Sequence, residues 1–193
     1  MKLPIFISIF LLTSLTYAQK VEIGPLLSFG HSFCDQQISF KQISRKTFSP
    51  GFTVNYWMNS RFFSIGSGVI YDQRGYKTAT DTYRINYITV PLRVSLTLGK
   101  TIFIRPSIGT NLSFLSNSKR SDNTTKITES FATESTDLSY FASFATGFYI
   151  KKRISFYANL KLINSFVPFV FSDDWGKLKH RKQIITLGLN FSV

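Results

Sequence analysis

The chain has 193 residues, 44% hydrophobic and 16% aromatic, with a formal net charge of +13. That length suits about one domain, and no later stretch reaches the roughly 18 apolar residues of a membrane helix. Cys34 is the only cysteine, which excludes an internal disulfide. It reads as incidental in a long loop, where an intermolecular disulfide is the remaining option.

Met1–Ala18 carries Lys2, an apolar run from Leu3 to Leu15, and small residues at Thr16 and Ala18. That order predicts a secretory signal cleaved before Gln19, leaving 19–193 as one barrel domain. The run is too short to cross a bilayer, and no cysteine at the cleavage point suggests a lipoprotein.

Eight segments with period-two apolar alternation follow. The first carries Val21, Ile23, Leu27 and Phe29 on one face; the second Phe52, Val54, Tyr56 and Met58; the third Phe63, Ile65, Val69 and Tyr71. The fourth runs Ile88, Val90, Leu92, Val94, Leu96, Leu98, and the fifth Ile102, Ile104, Pro106, Ile108, Thr110, Leu112, Phe114. Leu138 to Phe148, Ile154 to Leu162 and Ile185 to Val193 complete the set. Breaks near Asn59–Arg61, Gly99–Thr101 and Lys151–Arg153 are short. Those near Cys34–Phe48, Asp72–Tyr83, Ser116–Thr136 and Ser165–Lys182 are long and polar. Short turns at one end and long loops at the other predict an all-β, eight-stranded antiparallel up-and-down transmembrane barrel in a Gram-negative outer membrane.

The opposite face is small and polar, with Gly24, Ser28, Asn55, Gly66, Gly109, Gly147, Asn159 and Gly188 among its members. Small residues suit the filled interior of an eight-stranded barrel, so the apolar face is expected outward. A three-residue loop at Gly99–Thr101 would pair Leu98 with Ile102, Leu92 with Ile108 and Ser95 with Arg105, keeping faces matched. Pro91 and Pro106 cannot donate to a ladder and are expected at bulges or strand ends. Tyr56, Phe63, Phe148, Phe156 and Phe191 lie toward the short turns, and Tyr71, Phe114 and Tyr140 toward the loops, as two aromatic girdles.

From Gly51 to Ser116 the chain resembles the PorT-like outer-membrane β-barrel family of Bacteroidetes, small barrels of the OmpA/OmpX type. The residues that carry it are Gly51-Phe52-Thr53-Val54, then Ile70-Tyr71-Asp72-Gln73-Arg74-Gly75, then Asn86-Tyr87-Ile88-Thr89-Val90-Pro91-Leu92 and Arg105-Pro106-Ser107-Ile108-Gly109. The resemblance implies the barrel fold and an accessory role in type IX secretion, with secretion-machinery proteins as partners. The chain departs from proteobacterial barrels in ending Phe191-Ser192-Val193 rather than on phenylalanine.

Chemistry is thinly signalled. His31 lies near Ser28 and Ser32, and His180 lies in the last long break with Asp173 and Asp174. Neither stretch has the nucleophile–base–acid signature of a hydrolase, so no catalytic residue is expected. No metal-ligand cluster or phosphate loop stands out, and no cofactor is expected. Glu22, Asp72, Arg93, Arg105 and Lys161 all take the polar-face phase. Buried charges must be paired to be tolerated, so these five are expected either to form a lumen network or to be solvated singly by water inside the barrel. The basic excess at Lys119, Arg120, Lys177, Lys179, Arg181 and Lys182 suits outer-membrane lipid and lipopolysaccharide phosphates rather than nucleic acid. The aromatic stretch Phe166–Phe171 reads as an extension of the seventh strand. The expected role is non-enzymatic: scaffold, adhesion, or accessory to secretion. The alternatives are a barrel enzyme modifying lipid A and a lipocalin-like carrier.

Overall fold

The computed structural model describes residues 21–35, 43–58, 62–130, 133–151, 153–166, 168, 170–172 and 176–193. The expected signal segment and Asp173–Trp175 lie outside them. The strands are β1 (Val21–Asp35), β2 (Ile43–Trp57), β3 (Phe63–Lys77), β4 (Asp81–Leu96), β5 (Ile102–Asp122), β6 (Thr128–Ser130), β7 (Thr136–Lys151), β8 (Ile154–Ser165), β9 (Val170–Ser172) and β10 (Gly176–Ser192). Eight of them pair antiparallel in the order β1-β2-β3-β4-β5-β7-β8-β10, and β10 returns to β1. Closure runs from Glu22–Ser192 to Asp35–Lys179. The short β6 and β9 only lengthen the β5 and β10 ends.

The alternation sorts the side chains as expected. Phe29, Val54, Ile65, Leu92, Ile104, Ile108, Leu112, Phe144 and Leu160 are exposed on the outside. Glu22, Asn55, Ser64, Thr89, Arg105, Asn111, Ser139 and Thr186 are buried inside. Interior glycines make room for aromatic rings. A Cβ at Gly147 would lie 2.5 Å from Phe103 Cζ, at Gly109 2.7 Å from Phe141 Cζ, and at Gly188 2.3 Å from Tyr157 Cζ. The lumen is therefore filled by rings set against glycines, not by small residues alone.

Three expectations are corrected. The β4–β5 register is two residues away from the predicted one: Leu98 exchanges both backbone bonds with Ile104 at 2.9 Å, Leu92 faces Thr110 and Ser95 faces Ser107. Gly99 turns the chain at φ 112°, a conformation glycine adopts without steric cost. An even slip preserves every face, which is why the hydrophobic pattern alone did not distinguish the two registers. Second, Pro91 and Pro106 sit mid-strand opposite Asn111 and Phe144. The bulges lie instead between Ser44 and Gly51, Asn86 and Tyr87, and Tyr149 and Lys151. The β3–β4 ladder is interrupted between Gly66–Arg93 and Ile70–Thr89, where Pro91 has no N–H to give. Third, the strands run on into the predicted long breaks. Only residues 78–80 separate β3 from β4, closed by Thr78 N donating to Asp81 O at 2.8 Å.

Ile108 is 68% exposed and lies midway along the apolar part of β5. Ile108→Arg should cost about 2–4 kcal/mol of unfolding free energy in lipid vesicles. Ala79→Arg, in the exposed β3–β4 turn, should cost almost nothing. Denaturant titration of the vesicle-inserted barrel checks the contrast, and equal effects would refute the assigned membrane face.

Candidate functional site

Two features remain once the lipid-facing side chains are set aside: charged clusters in the lumen and the extension above the apolar band.

The upper cluster is centred on Arg74. Its side chain starts on β3, beside Asp72, because both keep the inward phase of the strand. Nε donates to Asp72 Oδ2 at 2.7 Å and Nη2 to Ser113 Oγ at 2.7 Å, while Nη1 donates to Asp137 Oδ2. Lys182 from β10 binds Asp72 Oδ1 and donates to Ser49 Oγ at 2.8 Å. Ser165 donates to Asp137 at 3.1 Å. Two cations and two carboxylates thus neutralise each other across the barrel. Arg74 also lies 4.6 Å over the Tyr87 ring. Above that ring, Cys34, Tyr76, Tyr83, Ile85 and Tyr87 form a small apolar core, with Tyr76 and Tyr83 stacked at 4.5 Å.

The lower cluster joins Arg105 and Glu22 as an ion pair at 3.5 Å. Arg105 Nε donates to Thr97 Oγ1 at 2.8 Å, and the guanidinium lies 4.8 Å from the Phe103 centroid and 5.1 Å from that of Trp57. Arg93 is held by neutral oxygens: Nη2 donates to Thr53 Oγ1 and Asn55 Oδ1, both at 2.6 Å. Lys161 Nζ sits 4.1 Å over the Phe141 ring. All five predicted charges face the lumen, but they do not form one network. Glu22 and Arg105 meet, Asp72 belongs to the upper cluster, and Arg93 and Lys161 each stand on uncharged partners.

Three members of the upper cluster were missed: Arg74, Asp137 and Lys182. Arg74 and Lys182 lay in stretches read as loop because their neighbours along the chain are polar, and Asp137 lay between the Ser116–Thr136 break and the strand read from Leu138. The signal was present, since Asp72, Arg74 and Tyr76 keep one phase, as do Lys182, Ile184 and Thr186. Lys182 is corrected from a loop cation to a buried lumen cation. His180 is likewise buried in β10, with its ring edge-on to Tyr87 at 6.1 Å. Cys34 is buried in β1 rather than displayed on a loop, which removes it from intermolecular pairing. His31 is separated from both predicted serines, because neighbours along a strand point to opposite faces. Ser28 bonds Thr186 at 2.8 Å and Ser32 accepts from Gly75 N at 3.2 Å, both inside. His31 is outside, 3.3 Å from Ser44 Oγ.

The extension is formed where β3, β4 and β5 continue past the apolar band. Arg120 clasps its outer end beside the β3–β4 turn, with Nε 2.9 Å from Asp81 Oδ1 and Nη2 3.2 Å from Oδ2. Those bonds, aided by Thr80 Oγ1 at 2.8 Å, hold the Asp81 carboxyl below the ordinary carboxylate range. Phe166 packs on Tyr140 at 4.7 Å, at the upper end of the exterior.

Arg74→Met strips two buried carboxylates of their shared cation, and breaking a buried pair costs about 3–5 kcal/mol. Arg105→Met affects one carboxylate that Asn190 Nδ2 still contacts at 3.5 Å. Thermal unfolding in detergent should show both variants destabilised, Arg74→Met more; the reverse order would contradict the assigned hierarchy. The Asp81–Arg120 clasp has its own pH signature. A carboxyl with a depressed folded pKa stabilises above its unfolded pKa and loses that contribution as pH falls through the folded value. Hydrogen exchange around residues 78–84, corrected for intrinsic rates, should stay flat from neutral pH to the ordinary carboxylate range and rise only below it.

The fold is similar to that of Neisserial surface protein A, at 10% identity over 89% of this chain and 96% of that one, with TM-score 0.51. It is also similar to outer membrane protein OprG from Pseudomonas aeruginosa, at 8% identity, 91% and 95% coverage and TM-score 0.52. A further similar structure is Ail, the attachment invasion locus protein of Yersinia pestis, at 14% identity, 88% and 98% coverage and TM-score 0.48. No curated protein matches the sequence. Residues 17–171 match the model of a family described as outer membrane protein beta-barrel domain. The apolar exterior, the closed eight-stranded wall and that match place the protein in the outer membrane of a Gram-negative bacterium, and the chain belongs to the outer membrane protein beta-barrel domain family.

Proposed function

We propose that the protein is a non-enzymatic outer-membrane scaffold that displays a polar β-extension outside the cell, in an adhesive role. The observation that carries this reading is the lumen. The Arg74 cluster bridges the barrel and the Tyr76–Tyr83 core covers it, so the wall supports what lies above it rather than a channel. On β5 the residues after Leu115 are Ser116-Asn117-Ser118-Lys119-Arg120-Ser121-Asp122, a stretch too polar for lipid that still holds its pairing to β4.

The alternatives have less support. A lipid A-modifying enzyme needs a histidine facing a nucleophile, and the strand phase separates His31 from Ser28 and Ser32. A lipocalin-like carrier needs an apolar lumen and a polar exterior, whereas this barrel has the reverse. The resemblance over Gly51–Ser116 favours a finer reading, that of a Bacteroidetes PorT-like barrel accessory to type IX secretion, and one strain series addresses both readings.

A strain lacking the gene would be complemented with the full chain or with a chain whose residues 116–135 are replaced by a short turn. The shortened barrel should insert and restore envelope resistance to detergent but not surface attachment. Full restoration of attachment by the shortened chain would overturn the display role. Accumulation of type IX cargo inside the deletion strain, reversed by the full chain, would assign the secretion role instead.

A further inference from the structure

Arg84 and Lys119 are directly opposite each other in the β4–β5 ladder. Both are exposed, and the residues flanking Arg84, Tyr83 and Ile85, are buried, so both cations project outward. Like charges directly opposite each other on a ladder are destabilising. The neighbouring strands do not relieve the pair. Gly75 on β3, opposite Arg84, has no side chain to separate the charges. The Arg45 guanidinium lies 3.4 Å from where a Gly75 Cβ would be, and burial together with the Arg84 charge lowers the Arg45 pKa. Lys46 on β2 is exposed and pairs in register with exposed His31 on β1.

The acids lie elsewhere. Glu22, Asp72 and Asp137 face the lumen, Asp81 is taken by Arg120, and Asp122 accepts the backbone N–H groups of Thr124 and Thr125 at 2.7 and 2.9 Å; on β6 it is Ser130 that faces Lys119, Glu129 being in register with Arg120, and Glu134 lies just before β7. Among the described side chains, no carboxylate lies within ion-pair distance of Lys46, Arg84 or Lys119. The level of these cations is equally specific. Lys46 lies two residues beyond exposed Phe48 on β2, and Arg84 lies four residues beyond exposed Ile88 on β4. At about 3.3 Å per residue along a tilted strand, that is the headgroup layer just outside the hydrocarbon.

We propose that Lys46, Arg84 and Lys119 form an outward ledge that binds the phosphates of lipid A in the outer leaflet. A phosphate between two opposed cations supplies the missing counter-charge, and arginine can engage it through two N–H groups at once. The ledge differs from the basic sites expected from sequence: Lys119 is retained, Lys182 is inside, and Lys46 and Arg84 are new. It depends on the long-loop end facing outward and not on the adhesive role.

The test titrates bisphosphorylated lipid A into the full chain folded in detergent micelles. Dephosphorylated lipid A and inorganic phosphate at equal phosphate concentration serve as the other arms. Bisphosphorylated lipid A should bind and raise the unfolding temperature, and the other two should not. Arg84→Gln with Lys119→Gln should weaken binding about thirtyfold, from the usual contribution of two basic residues at an anionic surface. Lys100→Gln with Lys151→Gln, at the opposite end of the barrel, should leave binding unchanged. If the first pair does not reach the folded form on a cold gel, Lys46→Gln with Lys119→Gln takes its place. Wild-type binding by the ledge variants, equal binding of dephosphorylated lipid, or the same shift from inorganic phosphate would each overturn the proposal.

Discussion

Hydrocarbon offers no partner for a backbone N–H or C=O, so a strand protein can cross a membrane only if its sheet closes on itself. In this chain that closure is the β1–β10 ladder, from Glu22–Ser192 to Asp35–Lys179. Once the two terminal strands must meet, the alternation of side chains has one consistent solution. The large aliphatic and aromatic residues face lipid, and everything that lipid would reject is forced into a narrow interior.

That interior then has to be satisfied locally. Aromatic rings occupy the space left by Gly109, Gly147 and Gly188, and between the ring layers sit charges. Arg74 is the member on which the upper half depends, because one guanidinium reaches Asp72 on its own strand, Ser113 on β5 and Asp137 on β7. A planar donor with five N–H groups can do this where a lysine could not. The lower half is less tightly coupled, with Arg105 and Glu22 at 3.5 Å and Arg93 resting on neutral oxygens. The lumen clusters thus tie opposite strands of the wall together across the barrel.

The same closure explains why basic residues accumulate outside. Glu22, Asp72 and Asp137 pair with lumen cations, and above the apolar band Asp81 is engaged by Arg120, while Lys46, Arg84 and Lys119 point to the outside. In the proposed ledge their counter-ions are the phosphates of the lipid itself, which would link the high net charge of the chain to its location.

Fold class, strand phase, membrane face and compartment were legible in the sequence, because each follows from a period of two repeated over eight segments. Glu22, Asp72, Arg93, Arg105 and Lys161 were assigned to the inner face by the same rule. Partnership was not legible. Which carboxylate meets which cation depends on register and on closure, and the β4–β5 register can slip by two residues without changing any face. Strand ends were not legible either. Polarity marked residues 72–83 and 116–136 as loop, whereas backbone pairing above the membrane needs no apolar side chains and carries β3, β4 and β5 on. Only the tertiary structure brought Arg74, Asp137 and Lys182 together and set Arg84 opposite Lys119, because those pairs are made by neighbouring strands and by the circumference of the barrel, neither of which a single strand encodes.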